Sequence, residues 1–328
     1  MLKALITTVP FADKDRAPLE LLEKNNIEYL INPLNKKLTE GELLEMIDDF
    51  DVLIAGTEVV SKKVMERAKK LKMISRVGIG LDSVDLLEAE AQGIAVSYTP
   101  DAPAPAVAEL TIGLMLSLLR LVHLSSAEMH QGKWHRFFGR RLSEVTIGIV
   151  GVGRIGLGVV EHLQGFGSPR ILLNDNNPDS SLEKKFNNIK WVDKEALYKQ
   201  SDIVTIHTPL TSETKNMIRK EQLMSMKKDA VIINTARGGI INEKDLYDVM
   251  QADHLNGAAI DVYDFEPYDG KLREIQRCIL TAHMGSMSID CRTRMEIEAT
   301  EEAVRFLTNQ PLEGIVPEEE YAVQREGL

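Results

Sequence analysis

The chain has 328 residues, room for about two domains at roughly 150 residues each, both large enough to bury a sizeable core. Its 39 Lys and Arg against 50 Asp and Glu leave a formal net charge of −11, with no basic run, so nucleic acid is disfavoured as a partner because phosphate neutralisation needs clustered cations. Hydrophobic residues make up 44%, in runs far shorter than the roughly 18 apolar positions of a membrane span.

The start, Met1-Leu2-Lys3-Ala4-Leu5-Ile6, lacks the charged head, long apolar centre and cleavage site of a secretory signal. The two cysteines, Cys278 and Cys291, make neither a disulfide framework nor a four-ligand zinc site. A soluble protein of the reducing cytoplasm, with no membrane association, is expected.

In chain order, the short β-branched runs Ala4–Thr7, Val52–Ile54 and Lys72–Ile74 alternate with charged segments of helical spacing, such as Leu43 with Ile47 and Val64 with Ala68. A second series runs Val145–Val150, Arg170–Leu173, Ile203–Ile206, Val231–Ile233 and Ala258–Ile260. Strand then helix, repeated, predicts α/β units with parallel sheets covered on both faces.

Between the two series, Pro100, Pro103 and Pro105 read as a hinge into a long crossover helix with Leu110, Leu114, Leu118 and Leu121 on one face. After His283 the pattern becomes one long helix, with Met295, Ala299, Ala303 and Leu307 spaced by four. Such a helix can return to the first unit. The expected division is 1–100, 101–285 and 286–328, the first and last forming one doubly wound domain.

Glycines at 151, 153 and 156 lie in Gly151-Val152-Gly153-Arg154-Ile155-Gly156, where a buried-strand pattern runs into a helix beginning near Arg154. Gly151 permits a tight turn, Gly153 lets backbone approach a pyrophosphate, and Gly156 allows close helix–strand packing. The anion meets unpaired N–H groups and the positive end of the helix dipole. Nineteen residues beyond Gly156, Asp175 closes the next strand. A carboxylate there accepts from ribose hydroxyls and repels a 2′-phosphate, which favours NAD over NADP; Asp175 also reads as an ordinary strand-end turn residue. The turn Val77-Gly78-Ile79-Gly80 is a second candidate anion site, a carboxylate acceptor or a plain turn.

Three residues suit chemistry on a carbonyl. Arg237, in Asn234-Thr235-Ala236-Arg237-Gly238-Gly239, stands where a strand releases the chain, and a guanidinium there grips a carboxylate. His283 follows the apolar strand Ile279-Leu280, and Glu266 lies in the loop after Asp261. A carboxylate beside an imidazole orients it and favours its protonated form, as a proton donor needs. Each also admits a bland reading: a solvated loop Arg, a structural His, a surface acid. The seven histidines form no HExxH, Ser286 lacks the GxSxG elbow, and the cysteines read as bystanders.

The blocks Gly151–Gly156, His207-Thr208-Pro209-Leu210, Asn234–Gly239, Asp261-Val262 with Glu266-Pro267, His283–Ser286 and Val77–Asp82 together resemble the NAD-dependent D-isomer-specific 2-hydroxyacid dehydrogenases, and within them look most like the short phosphoglycerate branch. The resemblance implies a Rossmann-type NAD domain inserted into a flavodoxin-like substrate domain, with the active site in the cleft between them. It assigns Arg237 to the substrate, His283 to acid–base work and Glu266 to pairing with His283. Amides of Val77, Gly78 and Ile79 would receive the substrate carboxylate. Arg154 and Ile155 would meet the pyrophosphate, Asp175 the ribose, and Thr208 and Pro209 the adenosine half. Thr235, Asp261 and Ser286 would lie near the nicotinamide half. A homodimer through residues 103–140 is also implied.

Ser288 stands where the family often has Thr, and the chain stops at Leu328, so no regulatory C-terminal domain or serine feedback is expected. The implied reaction is hydride transfer at C2 of a 2-hydroxy or 2-oxo acid. An NAD-sensing corepressor and a formate- or phosphite-type dehydrogenase are the alternatives. Arg76, Arg140 and Arg141 read equally as holders of a substrate phosphate and as solvated surface charges.

Overall fold

The apolar runs become strands of two wholly parallel sheets. The computed structural model describes residues 2–325, and the chain divides into two units, Met1–Pro103 with Met287–Leu328, and Ala104–Ser286. The first carries β1 (Lys3–Ile6), β2 (Glu28–Ile31), β3 (Val52–Ala55), β4 (Met73–Arg76) and β5 (Ala95–Tyr98), in the order β2-β1-β3-β4-β5. This is the flavodoxin-like order, whose direction of winding reverses between β1 and β3. Residues Val52 to Ala55 are all buried, as a central strand covered on both faces requires. Local signals fix the flanking helices. A Thr39–Glu42 capping box opens Glu40–Met46, Asp85 caps Leu86–Gln92, and Gly93 ends the latter at φ 69°.

The helix Ile289–Leu307 completes this unit. It buries Met295, Ala299 and Ala303 and packs on β4 and on the helix Ala17–Lys24. Within it Arg292 Nε donates to Glu296 at 2.6 Å, with both side chains largely buried. The pair reaches the loop after β1: Arg292 donates to the Thr8 hydroxyl at 2.8 Å, and Ala12 N–H donates to Glu296 at 2.8 Å.

The second unit carries β6 (Thr146–Val150), β7 (Arg170–Asn174), β8 (Ile189–Trp191), β9 (Ile203–Ile206), β10 (Val231–Asn234), β11 (Gly257–Ile260) and β12 (Cys278–Leu280). Their order is β12-β11-β10-β9-β6-β7-β8, the Rossmann order extended by one strand, with its switch point between β6 and β9. Period-two alternation splits each strand between two cores. Ile147, Ile149, Ile171, Leu173 and Ile233 pack on one face, and Val150, Leu172, Val204, Ile206 and Ile232 on the other. At the sheet's amino edge Asp202 accepts from Thr146 N–H at 2.7 Å and from Arg140 and Lys227, each at 3.0 Å.

The crossover helix differs from the expectation. It ends at Leu119, and a second helix, Val122–His130, leaves it at 65°. Leu121 sits at the break with φ 52°, where no Gly or Pro marks it. The buried face of the first helix is wider than the leucine stripe alone, since Ile112, Met115 and Leu119 are buried along with Leu114 and Leu118, while Glu109 and Gly113 are exposed. Among the described residues no single helix is long and apolar enough to cross a membrane.

Arg292→Ala leaves the Glu296 carboxylate buried without its cation. Urea unfolding is expected to show a loss of about 3–5 kcal/mol, and a loss below about 1 kcal/mol would contradict this account of the pair.

Candidate active site

The glycine turn leaves β6 at the switch point. Gly151 has φ 90°, and a Cβ there would lie 2.6 Å from the His207 carbonyl oxygen. At Gly156 a Cβ would lie 2.1 Å from the Gly151 carbonyl oxygen, so the helix Arg154–Gln164 approaches the turn only because position 156 has no side chain. Gly153 caps that helix and faces open space, with nothing within 4 Å of where a Cβ would stand. That space, beside the first N–H groups of an 11-residue helix, fits a pyrophosphate.

Asp175 follows β7, and its two oxygens accept from Val152 N–H at 2.7 Å and Asn177 N–H at 2.9 Å. The carboxylate is thereby fixed beside the turn, where a ribose would lie. On the other side, His207 follows β9 and its Nε2 bonds the Thr205 hydroxyl at 3.0 Å. Its Nδ1 and the Thr208 hydroxyl are buried with no hydrogen-bond partner among the described residues. Two orphaned polar atoms flanking the glycine turn are what a polar ligand there would satisfy. Pro209 is exposed at the same edge.

The next three strand ends carry Arg237, Glu266 and His283. After β10, the Asn234 side chain shapes the turn that presents Arg237: it accepts from Ala236 N–H at 3.0 Å and donates to the Arg237 carbonyl at 2.8 Å. The half-buried Arg237 donates to the Ala236 carbonyl at 2.7 Å. After β12, His283 Nδ1 meets Glu266, in the loop after β11, at 2.9 and 3.0 Å. A carboxylate only accepts, so Nδ1 carries the proton in this contact and Nε2 is left for proton exchange. Glu266 also accepts from Tyr263 N–H at 3.3 Å, and the Tyr263 hydroxyl ties β11 to β12 through the carbonyls of Ile260 and Thr281 at 2.9 Å each.

His283 has φ 47°, a left-handed conformation that few non-glycine residues adopt. Asp261 holds it there. Its buried carboxylate accepts from the Thr281 hydroxyl at 2.6 Å and from the N–H groups of Met284 and Gly285, both at 2.9 Å; its carbonyl accepts from His283 N–H at 2.8 Å. The carboxylate expected beside the nicotinamide half is thus engaged in building the histidine turn. Thr235 is buried, its hydroxyl 3.0 Å from that of Thr111, and Ser286 is half-buried just past Gly285. Asn234 and Tyr263 were not singled out from the sequence; Asn closing a strand before a Gly-rich turn is the signal that marks the first.

In the first unit the amide turn is narrower than expected. Val77 N–H donates to the Ala55 carbonyl at 2.9 Å within the sheet, and Gly78 N–H to the Thr99 hydroxyl at 2.8 Å. Ile79 and Gly80 therefore carry the amides that remain for a ligand at this turn. Burial pushes the Cys278 and Cys291 thiols up to about 12 and 11, which makes both poor nucleophiles at neutral pH. Among the described residues no His, Cys, Asp and Glu side chains are grouped to hold a metal ion.

Burial pushes the His207 imidazole down from 6.5 to about 3. Between those values the unfolded chain binds the extra proton, so stability rises with pH over that window and is lost on acidification. In the cofactor-free protein, His207→Gln should flatten the slope of unfolding free energy below pH 6.5 by up to about 1.4 kcal/mol per pH unit. Equal slopes in urea titrations of both proteins would refute this.

Residues 112–285 match the family model of the D-isomer specific 2-hydroxyacid dehydrogenase NAD binding domain. A hydroxypyruvate reductase of Thermotoga maritima is 34% identical over 302 residues, covering 90% of this chain and 95% of that protein. A D-3-phosphoglycerate dehydrogenase of Methanocaldococcus jannaschii is 38% identical over 285 residues, covering 85% of this chain and 54% of the relative. Among solved structures, the TT0316 protein of Thermus thermophilus superposes with a TM-score of 0.87 at 31% identity, covering 96% of this chain and all of that one. With the Rossmann strand order, the glycine turn and the His–Glu contact, these matches establish that the chain belongs to the NAD-dependent D-isomer-specific 2-hydroxyacid dehydrogenases, a family of oxidoreductases.

Proposed function

We propose that the chain interconverts a three-carbon D-2-hydroxy acid bearing oxygen on C3 with its 2-oxo acid, with His283 as the proton-exchanging group. The observation that carries this reading is the two-oxygen contact of Glu266 on His283 Nδ1, at 2.9 and 3.0 Å, at the carboxyl edge of a Rossmann-order sheet. Relatives named for hydroxypyruvate and for 3-phosphoglycerate support a three-carbon acid.

When bound, NAD supplies the nicotinamide carbon that accepts or returns the hydride. Arg237 holds the substrate carboxylate in a two-pronged grip and polarises the C2 oxygen. In oxidation, His283 Nε2 takes the hydroxyl proton as C2 loses hydride. In reduction the imidazolium returns that proton to the oxygen developing negative charge, and Glu266 keeps the ring in place and supports its positive form. Asp175 accepts from the adenosine ribose and disfavours a 2′-phosphate.

A homodimer completes the reading. Val122, Met129, Trp134 and Phe138 are exposed, the last two at 77% and 99%, within the stretch that the family resemblance marks as a subunit contact. Two reduced, inert thiols fit a cytoplasmic protein. An NAD-sensing binding role has no particular observation in its favour once the His283–Glu266 contact is present.

The test is NADH consumption with glyoxylate, pyruvate, hydroxypyruvate and 3-phosphohydroxypyruvate, with NADPH in parallel. His283→Ala should lower kcat by about 10²-fold or more, Arg237→Ala should raise KM and lower kcat together, and Asp175→Ala should narrow the preference for NADH. No turnover with any of these acids rejects the proposal. Light scattering on the purified protein should give the mass of two chains, and a monomer would reject the dimer.

A further inference from the structure

Two loops of the second unit that carry the proposed chemistry meet through bare backbone. After β10 the chain passes through Arg237 into Gly238, and a Cβ at position 238 would lie 2.0 Å from the Tyr263 carbonyl oxygen and 2.7 Å from the Asp264 nitrogen. The peptide it presses on belongs to the loop after β11, just ahead of Glu266. Any side chain at 238 would part the loop that holds the guanidinium from the loop that holds the partner of the imidazole.

Both flanks of that contact are bonded in place. The segment after Gly238 is held by a neighbouring stretch: Asn216 N–H donates to the Gly239 carbonyl at 2.6 Å, Ile218 N–H to the Ile240 carbonyl at 3.1 Å, and Asn242 N–H to the Ile218 carbonyl at 2.9 Å. Opposite it, Tyr263 is buried, tied through its hydroxyl to β11 and to Thr281, and its ring stacks on Tyr268 with centroids 4.2 Å apart. A displacement forced at 238 therefore falls on Arg237, next to the glycine.

Asp264 fastens the same two loops with polar contacts. Its N–H donates to Glu243 Oε1 at 2.8 Å, at the first residue of the helix Glu243–Gln251, and its Oδ1 lies 3.5 Å from where a Gly239 Cβ would be. Loss of water around that carboxyl raises its pKa, and the Gly239 N–H, with Lys215, pulls it back. Asp264 thus grips the segment 239–243 at both ends. Because β11 lies between β10 and β12, Arg237 and His283 leave strands about 10 Å apart. The loop between them governs how closely guanidinium and imidazole converge on one small acid.

We infer that Gly238 and Asp264 are positioning residues, a clasp that fixes the Arg237 turn against the Glu266 loop and so sets the spacing between the substrate-binding cation and the proton-exchanging imidazole. The inference rests on the dehydrogenase reading above and deepens it.

The experiment uses whichever of the four oxo acids the wild type turns over fastest. Gly238→Ala should lower kcat/KM by about 10²-fold, the cost of misplacing a binding group by about 1 Å, while NADH affinity by fluorescence titration stays within about threefold. In an Arg237→Ala background the same change should cost less than about threefold, because the clasp acts through the guanidinium. Asp264→Ala, which introduces no steric conflict, should lower kcat/KM by about threefold or more, and Asp264→Asn, which keeps an oxygen for the Gly239 N–H, should restore it to within about twofold. Full activity in a folded Gly238→Ala, a matching loss of NADH affinity, or an additive loss beside Arg237→Ala overturns the inference and leaves the dehydrogenase reading standing. So does an unchanged Asp264→Ala, or an equal loss in Asp264→Asn, and this pair decides alone should Gly238→Ala fail to fold. Turnover of none of the four acids by the wild type rejects that reading and the inference with it.

Discussion

The buried carboxylate of Asp261 accepts from the donors that define the turn after β12, and this small cluster determines where the imidazole can be. Without it, a histidine at φ 47° would relax toward ordinary backbone values, and the ring would leave Glu266. The two carboxylates divide the work by environment. Asp261 is fully enclosed and saturated by hydrogen bonds, so it acts on the backbone, whereas Glu266 is partly exposed and acts on the side chain. The imidazole–carboxylate contact thus depends on a residue whose own carboxylate bonds the backbone and not the ring.

The same logic of strand ends organises the rest of the second unit. Strands buried on both faces have no room for polar side chains except where they release the chain, and six of the seven release points carry a residue with a chemical assignment: Gly151, Asp175, Thr208, Arg237, Glu266 and His283. The reversal of winding between β6 and β9 opens the gap in which a dinucleotide fits, since neighbouring loops there diverge to opposite faces.

Much of this was legible beforehand because it is written in local patterns. The parallel sheets followed from alternating apolar runs, and the glycine turn from spacing that a Cβ would make impossible. The helix break at Leu121 was not legible, because no residue there favours a left-handed backbone. The engagement of the Val77 and Gly78 amides was hidden for a related reason: whether a turn amide is open depends on partners at Ala55 and Thr99, brought together only by strand pairing. Asp261 was found as a residue of interest, but its work on the backbone needed coordinates, since sequence order says nothing about which N–H groups converge on an oxygen. The edge strands β2, β5 and β8 did not stand out because polar residues, Glu28, Ser97 and Lys190 among them, interrupt their apolar runs.

The first unit takes its last core helix, Ile289–Leu307, from beyond the whole of the second. A ribosome therefore releases the second unit complete while β4 still lacks the layer that covers it. Chains emerge N-terminus first and domains tend to fold as units. The unit that begins later in sequence is thus the earlier one to mature, and the exposed face of β4 must be shielded until Ile289–Leu307 has been made.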